Sequence, residues 1–376
     1  MTSPGGEAND SYGFGFADFP ATTADMVYGQ NGSFISNGSL PVSSKSLGRP
    51  TSVAVDSVGG VYIVDPGSYR VLHYPKNSIA PDRVYGQSSF DVASVQIDPF
   101  SGQPKEDALI RPTAVAVDAR DGIYVAISTE GGLAGKVLYY PPGKTVPTRV
   151  YSSFSVGTIT SRLNEPNSVA VDPDDGIYVS DRGSHRVLHF PAGSTTPDRV
   201  YGQGGNFASV ASNCVDPVTV GGAAQCRAQY PTAATLFSPN SVAIDRVSGI
   251  YVADTGNNRV LHYSARNTTA DRVLLQTNFT STNMVGSCAG PVSVATDTAD
   301  GLYTVCRDEH SVKYFSTWTG YPPNNNGLNL GSFTESLAPV SARNLRRPVS
   351  VALDEAGVYV ADESNNRVLR FSFVKP

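Results

Sequence analysis

The segment GIYVADTGNNRVLHY, residues 249–263, recurs five more times in altered form. The relatives are GVYIVDPGSYRVLHY, GIYVAISTEGGLAGKVLYY, GIYVSDRGSHRVLHF, GLYTVCRDEHSVKYF and GVYVADESNNRVLRF, beginning at Gly60, Gly122, Gly176, Gly301 and Gly357. A segment repeated at intervals of several tens of residues constrains a fold more than any composition does, because one unit cannot bury its own apolar face. The whole unit is clearest in residues 49–87. There TSVAVD, GVYIVD, RVLHY and DRVYGQ read as four short strands, separated by an Asp-to-Gly turn and by a loop of small polar residues. The turn aspartates Asp56, Asp118, Asp172, Asp245, Asp297 and Asp354 stand 62, 54, 73, 52 and 57 residues apart. The excess length falls between the fourth strand of one unit and the first strand of the next.

Six units of four antiparallel strands predict an all-β, six-bladed β-propeller. The sixth unit stops after its third strand, at RVLRFSFVKP, and ADMVYGQ at 24–30 supplies the missing fourth. That segment matches PDRVYGQ at 81–87 and 197–203, so an N-terminal strand is expected to complete the last blade and remove an exposed sheet edge. The expected organisation is a leader over 1–23 and a single propeller over 24–376, with 24–30 as closing strand. Its blades lie near 49–87, 111–152, 165–203, 238–276, 290–331 and 347–371.

The net charge of −5 argues against a nucleic-acid partner, which calls for a basic face. No apolar run reaches the roughly 20 residues of a membrane span, and membrane insertion is not expected. The first residues, MTSPGGEANDSYGFGFADFP, lack the basic start and apolar stretch of a signal peptide. The four cysteines form two local couples, Cys214 with Cys226 and Cys288 with Cys306. Spacing alone does not choose among the three possible pairings, and four buried thiols remain the alternative. Two local disulfides would place the chain in an oxidising compartment.

SVAVD…GGVYIVD…YRVLHY and NSVAID…SGIYVADTGNNRVLHY resemble NHL repeats. The resemblance covers residues 24–376 and implies a six-bladed propeller. It leaves function open, since NHL propellers include scaffolds, protein and RNA binders, sensor domains and some lyases.

Candidate site residues come from departures between units. His73, His189 and His262 repeat in the third strand and read as structural. His185 and His310 fall instead in upper-rim loops, the loops that join second to third strands, and align with Asn258 and Asn366. The lyases of this family gather a metal near the central axis, often through histidines, so these two are the candidates for such chemistry. The acidic turns DPDDG and DTADG lack the ligand series of an EF-hand and read as self-capped turns. Asp65, Asp181, Asp254 and Asp362 end second strands, and Arg70, Arg186, Arg259 and Arg367 open third strands, so each pair is expected to brace its loop. Ile127 and Cys306 break that pattern in blades 2 and 5. Arg347, Arg49 and Arg111 enter the innermost strands of the consecutive blades 6, 1 and 2, and should line one side of the upper mouth, where they suit a carboxylate or a sugar acid. Sequons begin at Asn9, Asn31, Asn37, Asn267 and Asn278, all outside strand centres.

No nucleophile with a matched base emerges. The expectation is a non-enzymatic, extracellular or cell-surface binding or structural module without catalytic residues, metal or cofactor. It would be glycosylated and would meet protein or carbohydrate through its upper-rim loops, with self-assembly into a larger array as a further option. The alternative is a metal-dependent lyase or hydrolase at the upper mouth.

Overall fold

In each unit the second strand is apolar on both faces, and both faces are buried. A computed structural model describes residues 19–129, 133–220, 223–281, 288–315, 328–330 and 340–374. Blade 1 comprises Ser52–Val55, Val61–Asp65, Arg70–Tyr74 and Arg83–Tyr85. Blade 2 comprises Pro112–Val117, Ile123–Ile127, Lys136–Tyr140 and Arg149–Tyr151. Blade 3 runs Pro166–Val171, Ile177–Asp181, Arg186–Phe190 and Arg199–Tyr201. Blade 4 runs Ser241–Ile244, Ile250–Asp254, Arg259–Tyr263 and Arg272–Leu274. Blade 5 has Pro291–Thr296, Leu302–Cys306, Ser311–Phe315 and Leu328–Leu330. Blade 6 has Pro348–Leu353, Gly357–Asp362 and Arg367–Val374. Every blade is an antiparallel meander in sequence order.

The fourth strand of blade 6 is Met26–Tyr28, whose Met26, Val27 and Tyr28 face Arg370, Leu369 and Val368. Phe19–Pro20 extends the same edge opposite Phe373 and Val374. The ring is therefore closed by the start of the chain, as the repeat pattern predicts. A protein edge left unpaired would be a template for aggregation.

Strand parity distributes the core into six clusters, one between each pair of neighbouring blades. In blade 1, Val61 and Ile63 pack toward blade 6, while Tyr62 and Val64 pack toward blade 2. The fourth-strand Tyr of one blade meets the aromatic ending the third strand of the next. Tyr28–Tyr74, Tyr85–Tyr140, Tyr151–Phe190 and Tyr201–Tyr263 lie edge-to-face with ring centres 5.0–5.4 Å apart. This contact accounts for the aromatic that ends RVLH(Y/F) and for the Tyr of RVY.

The loops are tied by buried ion pairs. Arg70, Arg186, Arg259 and Arg367 are wholly buried and place Nε 2.7–2.8 Å from Asp65, Asp181, Asp254 and Asp362. In Arg259, Nη1 donates to the Phe279 carbonyl in the connection leaving the blade. Its Nη2 donates to the Thr232 and Thr235 carbonyls in the connection entering it. Arg70 and Arg367 repeat the scheme with Phe90, Ser43 and Ser46, and with Phe34, Ser341 and Asn344. Arg186 repeats it with Phe207, Ser161 and Arg162. The second Asp254 oxygen accepts the Phe237 N–H. Burial raises Asp181, Asp254 and Asp362 above the ordinary carboxylate range, while the guanidinium and N–H donors pull the other way.

Blades 2 and 5 replace this node differently. In blade 2 Lys136 stands at the Arg position and donates to the Glu106 carbonyl. In blade 5 a Cys288–Cys306 disulfide joins the incoming connection to the end of the second strand. Its carboxylate is displaced to Glu309, which accepts the Ala289 N–H and pairs with Lys313 at 2.7 Å. Lys313 occupies the register of Leu72 and Leu261, and burial lowers its ammonium to about 8. The second disulfide, Cys214–Cys226, staples the long connection between blades 3 and 4. Both bridges fit an oxidising environment. No helix among the described residues is long and apolar enough to cross a membrane.

Two stability outcomes follow. Tyr28→Ala removes the closing contact and should cost about 3–5 kcal/mol in denaturant unfolding. Asp254→Ala strands a buried guanidinium and should cost a similar amount, about 3–5 kcal/mol, whereas replacing both Asp254 and Arg259 by apolar residues should cost less, as read by the same unfolding midpoints.

Candidate functional site

The upper rim carries the tight loops and all blade connections, and the residues at its central mouth come from two positions of the repeat. One precedes the innermost strand; the other follows the second strand. The first is held in the left-handed region at Arg49, Glu165, Ser238 and Arg347, with φ of 50–61°. Its N–H is caught by a side chain from the preceding blade. Arg49 donates to Asn366 Oδ1 at 3.0 Å and Gly290 to Asn258 Oδ1 at 3.1 Å. Ser238 donates to His185 Nδ1 at 3.0 Å and Arg347 to His310 Nδ1 at 2.9 Å.

His185 and His310 thus do the work of asparagines, as their alignment with Asn258 and Asn366 suggests. Each imidazole uses its Nδ1 lone pair as an acceptor, so the neutral ring carries its proton on Nε2 and has no lone pair left for a metal. Neither ring lines the central cavity. Burial, reinforced by Arg182, lowers His185 below the ordinary histidine range.

The mouth opens into a cavity of about 570 Å³ lined by all six blades. The structure brings Arg49, Arg111 and Arg347 together there, as expected, and adds Arg182 and Arg307. These two follow the second strand, in DRGSH and CRDEH, a position the repeat alignment makes visible once its direction is known. Arg49 pairs with the buried Glu363, Arg182 with Glu165 at 2.7 Å, and Arg307 with Asp308 at 3.2 Å. Arg111 and Arg347 are exposed and have no carboxylate partner among the described residues. Five guanidiniums meet three carboxylates, so the mouth is cationic on a chain of net charge −5.

The opposite rim holds the other histidines. His73 lies between Asp56 and Asp82 at 3.0 and 2.5 Å, and His189 and His262 repeat the contact with Asp172 and Asp198 and with Asp245 and Asp271. Each ties the first turn to the fourth strand of its own blade. Despite partial burial, a hydrogen bond from His189 holds Asp198 below the usual range, and hydrogen bonds from Ser264 and then His262 do the same for Asp271. The turn aspartates cap their own backbone: Asp172 Oδ1 accepts from Asp174 and Gly176, and Asp297 Oδ1 from Ala299 and Gly301. Among the described residues no group of three His, Cys, Asp or Glu is arranged to hold a metal. Asn31, Asn37, Asn267 and Asn278 are exposed, and Asn9 lies outside the described residues.

The NHL repeat family matches residues 163–190, which span the first three strands of blade 3. The chain is a six-bladed β-propeller that carries an NHL repeat. No curated protein matches its sequence. Among solved structures, it is similar to a protein of unknown function from Bacteroides thetaiotaomicron, at 13% identity and TM-score 0.55, over 92% of this chain and 75% of that one. It is similar to a gluconolactonase from Xanthomonas campestris at 14% and 0.51, over 94% and 98%. It is also similar to virginiamycin B lyase from Staphylococcus aureus at 9% and 0.50, over 89% and 98%. At these identities the likeness is one of fold. This propeller's arginine-rimmed mouth has to be read from its own residues.

A protonated His185 cannot accept the Ser238 N–H. Because its folded value lies below its unfolded one, the unfolded chain binds the proton first, and stability should fall as pH drops below about 6.5. His185→Asn keeps the acceptor and should remove that part of the acid sensitivity, measured as unfolding midpoint against pH.

Proposed function

We propose that this propeller is an extracellular or cell-surface binding module that takes an anionic ligand, an acidic saccharide, at its upper mouth. The observation that carries the reading is the unpaired couple Arg111 and Arg347, set on either side of Arg49 at the opening of a polar cavity in an otherwise acidic chain. Guanidiniums bind carboxylates and sulfates through paired, directional N–H donors. A cavity of this size accommodates one or a few sugar rings. The disulfides and the exposed sequons support a glycosylated, secreted setting. Assembly of propellers through their two rims belongs to the same reading, since the rims differ in charge and residue content.

The alternative, a metal-dependent lyase or hydrolase at the mouth, draws on the fold likeness to a lyase and a gluconolactonase. The engagement of both candidate histidines by backbone N–H groups argues against it.

Arg111→Ala and Arg347→Ala should each weaken binding of uronic-acid oligosaccharides about tenfold, and wild-type affinity should fall with added salt. Equal binding of neutral and acidic oligosaccharides, or none of either, would sink the reading; turnover that needs an added transition metal would favour the enzyme. Intact mass before and after glycosidase treatment of the native protein checks the sequons.

A further inference from the structure

Below the arginines, the wall of the cavity is a ring of hydroxyls. The innermost strands carry Ser52, Ser168, Ser241, Ser293 and Ser350 at one equivalent position, with Ala114 there in blade 2. Each serine Oγ accepts a backbone N–H from the next blade. Val115 donates to Ser52, Val294 to Ser241 and Val351 to Ser293, all at 3.2 Å. Val242 donates to Ser168 and Val53 to Ser350, both at 3.4 Å. Innermost strands have no sheet neighbour on the axial side, and these bonds supply one across five of the six blade boundaries.

The consequence concerns the protons. A hydroxyl that accepts an N–H still has its own hydrogen to donate. None of the five hydrogens has an acceptor among the described residues, although Ser52, Ser241, Ser293 and Ser350 are each more than nine-tenths buried. Thr51, also on the cavity wall, has a buried Oγ1 with no partner among the described residues. Accepting an N–H polarises each hydroxyl and makes it a better donor. The ring is thus a set of hydroxyl donors on the wall of one cavity. Blade 2 departs from the rest: Ala114 carries no hydroxyl, and Thr113 Oγ1 is turned away to the Pro166 carbonyl at 2.8 Å. That gap lies on the blade that also carries the unpaired Arg111.

We infer that the serine ring is an oxyanion site, set below the arginine rim, for a tetrahedral or carboxylate anion. It rests on the proposed use of the mouth and deepens it: the ligand's charged group enters the channel and is held by hydroxyls, while the arginines hold what remains at the opening. The same chemistry fits a free inorganic oxyanion and the acid group of a saccharide.

The test uses the whole protein and two probes, sodium selenate and a glucuronate-terminated disaccharide, followed by calorimetry and by anomalous diffraction from selenium. Selenate is expected on the axis at the level of Ser241 and Ser293. The double variant Ser241→Ala/Ser293→Ala should bind it at least about tenfold more weakly at an unchanged circular dichroism spectrum. Ala114→Ser completes the ring without removing a group, and should bind at least as tightly as wild type, so a folding defect in the alanine variant does not leave the matter undecided. Competition between the two probes identifies the acid group of a saccharide as the occupant; selenate binding that the disaccharide does not displace identifies a free oxyanion site. No selenate on the axis, or equal affinity in wild type and the double variant, overturns the inference. Disaccharide binding that needs Arg111 and Arg347 but ignores the serines would overturn the ring while leaving the arginine mouth standing.

Discussion

A guanidinium taken wholly out of water must find an acceptor for nearly every N–H it carries. Four arginines in this chain meet that demand with one carboxylate and three further acceptors, most of them carbonyls, drawn from both connections that flank their blade. The long irregular segments are thereby pinned to the sheets at fixed points. Leaving out any one acceptor leaves a buried donor unmet, which is why the geometry repeats so closely among blades 1, 3, 4 and 6. Tight loops, rim residues and mouth all take their positions from these nodes.

Departures from the repeat carry the individuality of the protein. Blade 5 replaces a buried ion pair by a disulfide and moves the carboxylate three residues along, to Glu309, with a lysine where other blades place leucine. Among the described residues the cluster between blades 4 and 5 is the smallest of the six. Blade 2 lacks both the pair and the inner serine, and it is the blade that exposes Arg111. The architecture alone would give a mouth of six like positions. Arginines at two positions of the repeat, present in some units and absent from others, make it cationic and lopsided.

Histidines illustrate how role follows from hydrogen bonding. Three sit between carboxylates at the lower rim, and two accept backbone N–H groups at blade junctions. All five are taken up by the frame. A histidine that aligns with asparagine is best read first as an acceptor, since Nδ1 and the amide oxygen reach a similar point from the backbone.

Blade number, strand order, the closing strand and the pairing of Asp with Arg were all legible in the sequence, because each rests on local periodicity or on a repeated spacing of a few residues. The cysteine couples were visible too, although spacing did not choose their partners. Arg49, Arg111 and Arg347 could be placed together from blade order alone. Arg182 and Arg307 could not, since which side of a tight loop faces the axis depends on how the blade is inclined and packed. The hydroxyl ring was equally hidden: five serines scattered over some 300 residues become neighbours only when the sheet closes on itself, and only that closure turns the unpaired inner edge of each blade toward the next.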